Sequence, residues 1–242
     1  MAEQVVPSVE PNEMNWLSRV FNIIFEPRKV FESLKQKPKW FVPFIVVCIL
    51  GIGFYYFAYP IIMMEQIHRI DANEKYTDAQ KESMKQYMGR TEHPPIIQFA
   101  FQPLGVGIIF LALSGVLFFV FNVLLGGDST FKRVLSVVSH SYMIAIPTAI
   151  VKYPLVFIKK TVDVPTSLAL LLSVDMKDSF MYRFLDGFDV FTLWQVVVLS
   201  LGMSVMYKFS FKKSLVPICS MWVLLILIGS WIAGALGGLG GF

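Results

Sequence analysis

The sequence predicts an all-α, polytopic membrane protein with five transmembrane helices and short amphipathic helices at its amino terminus. Three observations predict it. Five apolar runs lie at Phe41–Ile61, Leu104–Leu125, Val134–Ile158, Val190–Tyr207 and Leu215–Leu236. A helix needs about 20 apolar residues to cross about 30 Å of hydrocarbon, and each run is close to that length or beyond it. Charge is sparse as well. Of 242 residues, 16% are charged and 55% hydrophobic, with a mean hydropathy of +0.62. Soluble domains carry about 25% charged residues. Finally, backbone amides in lipid must bond within the segment, so the runs should be helices.

The elements follow in order. Residues 1–15 are polar, without apolar period, and are expected to be a disordered tail. No secretory leader is visible, so the first span should act as its own uncleaved anchor. Residues 16–40 are expected to form two cytoplasmic interfacial helices. In the first, Leu17, Val20, Phe21 and Ile24 recur at helical spacing. Pro27 breaks it and can begin the second, since proline suits a first turn. There Val30, Phe31 and Leu34 share a face, and Pro38 ends the helix. Arg28, Lys29, Lys35, Lys37 and Lys39 make this region basic. They are candidate lipid-interface residues, and the pair reads as lying in the interface plane before the first span, as an anchor or as a lipid-sensing or partner-docking element.

Residues 41–236 form the five-span domain. Within it, 62–102 is a long charged external loop. Thr77 and Gln80 make a capping box there, which predicts a helix over Asp78–Met88 closed by Gly89. His93-Pro94-Pro95 predicts an extended stretch. Between the second and third spans, Gly126-Gly127 should end a helix in a tight turn, with Asp128 or Ser129 capping the next. A phosphate loop is excluded, because the lysine and the preceding strand of that motif are absent. The apolar stretch from Pro165 to Val174 is too short to span and should be re-entrant or interfacial. Residues 237–242 are glycine-rich and expected to be a flexible tail.

Positive charge sets orientation. Eleven Lys and Arg fall before the first span and in the short loops after the second and fourth, within about 54 residues. Nine fall on the other side, over about 72 residues and interleaved with acids. The denser side should be cytoplasmic, with a cytoplasmic amino terminus and an external carboxyl terminus. A net charge of +4 and a pI near 9.0 fit anionic lipid rather than nucleic acid.

Ionisable groups inside spans are the default functional candidates. His140 and Lys152 qualify, both in the third span. Twelve residues separate them, about 18 Å along a helix, so they cannot act on one atom. His140 lies among Ser139, Ser141 and Tyr142, which suggests a polar packing patch. The Lys152 stem can snorkel toward the external surface. Asn122 in the second span is a candidate for an interhelical hydrogen bond. Ser230, Gly234 and Gly238 recur every fourth residue of the last span and make a candidate helix-packing stripe. Pro147 and Pro217 should kink their spans. Cys48 and Cys219 each lie alone in a span, which argues against a disulfide, a metal or a redox role. No carboxylate lies deep in a span, and no nucleophile–base pair or metal motif is visible. The expectation is a protein that is not an enzyme and needs no cofactor.

Several local features coincide with a known family. They begin with Phe25-Glu26-Pro27, Val30-Phe31, Lys37-Pro38-Lys39-Trp40 and Pro43. Gly126-Gly127, Thr130-Phe131-Lys132-Arg133 and Leu135-Ser136-Val137-Val138 follow. Then come Phe188-Asp189-Val190-Phe191, Leu193-Trp194, Ser210, Lys212-Lys213 and Trp222. In this order the chain resembles the bacterial branch of the Yip (Ypt-interacting protein) membrane family over about residues 16–236. The resemblance implies a five-helix bundle with a cytoplasmic amino terminus and no catalytic residues. In eukaryotes the family is associated with vesicle trafficking, membrane shaping and the binding of small Rab-type GTPases. The charged loop at 62–102 departs from the compact loops of those members.

Two functions stand as expectations. One is a non-enzymatic adaptor, scaffold or subunit of an envelope, export or lipid-transport assembly in a bacterial inner membrane. Its partners would be membrane lipids and a protein partner or a second copy of itself, with no nucleic acid and no metal. The alternative is a self-contained transporter or channel for a small molecule or lipid. Such a pathway would be lined by Asn122, His140, Ser141, Lys152 and Gln195.

Overall fold

The computed structural model describes residues 14–73, 75–88, 94–173, 176–177 and 179–239, without the side chains of 234–239. The helices are α1 (Trp16–Phe25), α2 (Pro27–Gln36), α3 (Phe41–Ala72), α4 (Asp78–Met88) and α5 (Ile96–Phe119). They continue with α6 (Phe131–Ser141), α7 (Ala145–Lys159), α8 (Phe180–Asp186), α9 (Val190–Tyr207) and α10 (Phe211–Leu239). No strand occurs among the described residues. Five helical segments are long and apolar enough to cross a membrane: α3, α5 with its extension to Leu124, α6–α7, α9 and α10.

Local chemistry explains several boundaries. The Asn15 side chain caps α1 by accepting from the Ser18 amide at 2.7 Å. Pro27 sits in the first turn of α2. The capping box of α4 is formed reciprocally. The Thr77 amide donates to Gln80 Oε1 at 2.9 Å, and the Gln80 amide to Thr77 Oγ1 at 3.3 Å. Gly126 has φ +65° and ends the second span in the left-handed region open to glycine. The expected caps of α6 differ. The N-cap is Thr130, with no side-chain capping bond, so neither Asp128 nor Ser129 fills that role.

Both helices flanking the loop between the first two spans are longer than hydropathy suggested. α3 runs on from Ile61 to Ala72, and α5 starts at Ile96 rather than Leu104. Charged residues do not stop a helix that has left the lipid, so an apolar window underestimates its length. The loop shrinks to residues 73–95, and α4 folds back along the end of α3. There Lys81 Nζ donates to the Asp71 carbonyl at 2.8 Å, and Lys85 pairs with Asp71 at 3.1 Å. Hydrogen bonding to Asp71 pushes the Lys85 ammonium above its ordinary pKa.

The third span is broken in the middle. A 3₁₀ turn at Tyr142–Ile144 joins α6 to α7. Pro147 has no N–H for the Met143 carbonyl, which accounts for the tightening. The second span ends in a π-helical turn, Val120–Leu124. The segment Pro165–Val174, expected to be re-entrant or interfacial, holds a short 3₁₀ turn at Leu168–Leu171.

The core lies where α2, α6 and α9 meet. Val30, Phe31 and Leu34 of α2 are fully buried there with Val134, Val137 and Met203. A Cβ on Gly202 would stand 2.5 Å from Val137 Cγ1 and 2.8 Å from the Phe31 ring. Glycine is therefore what lets α9 close on α2 and α6. The apolar face of α2, expected to meet the lipid interface, is buried in protein instead. Its Val30/Phe31/Leu34 stripe fits the groove that Gly202 opens. The expected tail before Met14, the helix stop at Gly89, His93 and residues 240–242 lie outside the described residues.

Candidate functional site

Polar side chains gather at three levels of this apolar bundle. The middle level belongs to the third span. Ser136, Ser139, His140 and Ser141 are all buried, in a helix whose break follows immediately. Their bonds stay within their own helix. Ser136 Oγ donates to the Lys132 carbonyl at 2.9 Å, and Ser139 Oγ to the Ser136 carbonyl at 3.1 Å. Ser141 Oγ donates to the Val138 carbonyl at 2.8 Å. His140 Nδ1 lies 2.8 Å from the Ser136 carbonyl. A carbonyl only accepts, so Nδ1 carries a proton. Ser200 on α9 does the same as the serines, donating to the Val196 carbonyl at 2.7 Å. This back-bonding leaves a small, saturated side chain and permits close helix approach. Two groups from outside join this level. Gln195 of α9 lies beside Tyr142. Arg19 of α1 is 5% exposed, and its charge acts on His140.

The second level lies where the third span meets the start of α9. Lys152 Nζ donates to Asp189 Oδ2 at 2.8 Å. Thr166 Oγ1 donates to the same oxygen. The other oxygen, Oδ1, caps α9 by accepting from the Phe191 and Thr192 amides at 2.9 and 3.3 Å. Main-chain bonds complete the clasp, from Leu168 N to the Phe188 carbonyl and from Val190 N to the Thr166 carbonyl. Lys152 therefore does more than snorkel: it ties two spans together. Burial pushes the Asp189 carboxyl up, but the bonds from Lys152 and Thr166 outweigh it and hold it below its ordinary value. Sequence reading passed over Asp189 because it only precedes a span. Its position as an N-cap residue was the available signal.

The third level lies at the opposite end of the bundle. Asn122, in the π turn, accepts from the Tyr207 hydroxyl and donates to the Ser129 carbonyl at 3.1 Å. This is the interhelical bond expected of Asn122, made to α9. A Cβ on Gly127 would stand 2.7 Å from the Phe121 carbonyl and would also strike the Tyr207 ring. Lys213 stands 3.6 Å over the Phe209 ring and donates to the Leu125 carbonyl at 3.4 Å.

The three levels are separate. His140, Lys152 and Asn122 share no partner among the bonds described. Two surface concavities are open grooves. One of about 400 Å³ runs along α10 at Cys219, Ser220, Val223, Leu224 and Leu227. The other, of about 450 Å³, lies beside α4 at Tyr76, Gln80 and Met84. No group of three or more metal-ligating side chains occurs among the described residues. Cys48 and Cys219 are free thiols. Ser230 is 5% exposed on α10, while the side-chain positions of Gly234 and Gly238 lie outside the described set. Of the basic candidates, Arg28 pairs with Glu32 at 3.1 Å and Lys29 pairs with Glu26. Arg133 Nε donates to the Lys35 carbonyl at 3.1 Å, which ties α2 to the start of the third span. Lys37 and Lys39 are exposed.

A family model, the Yip1 domain, matches residues 21–233. The chain belongs to the Yip1 domain family. With its five spanning helices this makes it an integral membrane protein. The match starts inside α1, so the α2 packing and all three polar levels apart from Arg19 fall within the Yip1 domain. Comparisons with curated proteins and with solved structures return no match.

Proposed function

We propose that this Yip1 domain protein is a non-enzymatic adaptor, scaffold or subunit of a larger membrane assembly. The assembly resides in a bacterial inner membrane and serves envelope, export or lipid-transport work. The amino terminus faces the cytoplasm and the carboxyl terminus the outside. One observation carries the reading. The buried serines and His140 of the third span bond their own helix, so their polarity serves packing and not a passage across the bundle. A transporter would need Asn122, His140, Ser141, Lys152 and Gln195 to line one path, but Lys152 is bonded to Asp189 and Asn122 to Tyr207 and the Ser129 carbonyl, so these groups are taken up in tying spans together. A helix pair that projects beyond the bilayer, α3 with α4, supplies an outer surface for a partner.

The test is gentle extraction from native membranes followed by mass and composition of the intact particle. A stoichiometric partner protein is expected. A particle containing this chain alone, together with solute flux in vesicles that is lost in His140→Ala, would replace this reading with transport.

A further inference from the structure

We infer that α1 is seated among the lipid acyl chains, with Leu17, Phe21 and Phe25 as its lipid-facing stripe.

The helix is inside-out. Its charged residue Arg19 and Ile23 face the protein and are 5% and 0% exposed. Leu17, Phe21 and Phe25, one turn apart, face outward at 50%, 65% and 79% exposure. An interfacial helix in water and headgroups would show the reverse, with the charge outside.

The level at which α1 packs supports the same occupant. It rests against the 3₁₀ turn that interrupts the third span. That turn starts eleven residues after Phe131, about 17 Å along a helix that crosses about 30 Å of hydrocarbon. A helix packed on the middle of a span is surrounded by chains, not by water.

Charge fits as well. The end of the molecule that holds the α1–α2 hairpin carries ten other Lys and Arg, over residues 28–39, 132–133 and 208–213. Among the described residues its acids are Glu26, Glu32 and Asp128. Anionic headgroups are the complement of such a surface. At the hairpin turn the charges cancel in pairs, Lys29 with Glu26 and Arg28 with Glu32. The occupant of the stripe is thus the acyl region of the leaflet at the basic end, rather than a protein or a second copy.

The test uses the full chain with Cys48→Ala and Cys219→Ala, spin-labelled singly at Leu17→Cys, Phe21→Cys or Phe25→Cys. It is reconstituted in vesicles of phosphatidylethanolamine and phosphatidylglycerol. Collision rates with oxygen and with a water-soluble nickel chelate are read against Ile109→Cys, an exposed mid-span site on α5. Oxygen collisions several-fold above nickel at all three positions, as at Ile109, are expected. Nickel collisions exceeding oxygen would place α1 in water. Suppression of both would put protein on the stripe. Either result overturns the inference. A milder variant guards against misfolding. Trp16 is itself 55% exposed, so Trp16→Phe should reduce the quenching of total tryptophan fluorescence by brominated acyl chains. Unchanged quenching would also overturn the inference.

Discussion

The third and fifth spans are both long, apolar helices, yet the protein uses them in opposite ways. Of the most apolar window of the third span, 61% is buried, against 11% for the fifth. Hydropathy ranks them the other way, 1.7 against 2.3. The less apolar helix is the central one because its polarity is spent on itself. Serines that back-bond to the preceding turn are small and saturated, so neighbours can approach closely. The fifth span keeps Leu224, Leu225 and Trp231 outward, where lipid is the solvent. In a membrane, small and polar residues mark the helix faces that meet other helices.

The strongest way to break this contrast is to attack what packs on the third span. Phe31→Ala, which empties the space between Val137 and Gly202, should cost about 4 kcal/mol. Thermal unfolding in mild detergent would read it as a large fall in midpoint. Gly202→Leu drives a side chain into Val137 and Phe31 and should cost about 3 kcal/mol. It should also free α2, seen as faster proteolysis ahead of the first span.

The clasp between the third span and α9 comes next. Asp189→Ala removes a helix cap and an ion-pair partner, and should cost about 2 to 3 kcal/mol. Its pH dependence has a defined sign. A carboxyl held low in the folded state adds stability at pH values above its unfolded pKa of about 4. That stability is lost as pH falls through the lower folded value. Wild-type protein should therefore lose stability below about pH 4 more steeply than Asp189→Asn does. Parallel acid titrations without such a difference would mean that the Asp189 carboxyl is not held low in the folded protein. Tyr207→Phe, which deletes the bond to Asn122, should cost only about 0.6 kcal/mol. Gly229→Ala on the fifth span is the smallest. An added Cβ there meets nothing within 4 Å, so the change should stay within about 0.5 kcal/mol. A large effect at Gly229 would mean that this face is covered in the native particle.

Much of the fold was legible because its signals are local. The Thr77–Gln80 box marks α4, Pro27 divides α1 from α2, and Gly126 ends the second span. The site was legible in part. Asn122 was recognised as an interhelical donor or acceptor, and His140 as a member of a packing patch. What escaped depends on partners distant in sequence. Lys152 and Asp189 are 37 positions apart, and no periodicity announces that two chain ends of neighbouring spans will meet. The α2 face was misplaced for a related reason. An apolar stripe records that something apolar lies opposite, but lipid and protein leave the same pattern. Gly202 was the clue, and it becomes readable only with Phe31 beside it.

The π turn at Val120–Leu124 has a consequence for how this chain tolerates insertions and deletions. A wide turn holds one residue more than an α-helical turn would. The second span therefore contains a phase change that its composition conceals. Removing a single residue there would leave hydropathy and length almost untouched. It would close the turn to ordinary α-helical width and leave the chain on either side in register. A deletion one turn earlier, inside α5, has no such reserve and would rotate everything beyond it by about 100°. Asn122 would then swing away from Tyr207, and Gly127 would leave its niche against the Tyr207 ring. Related sequences aligned by hydrophobicity alone would look alike across either gap, although only the second loses its register.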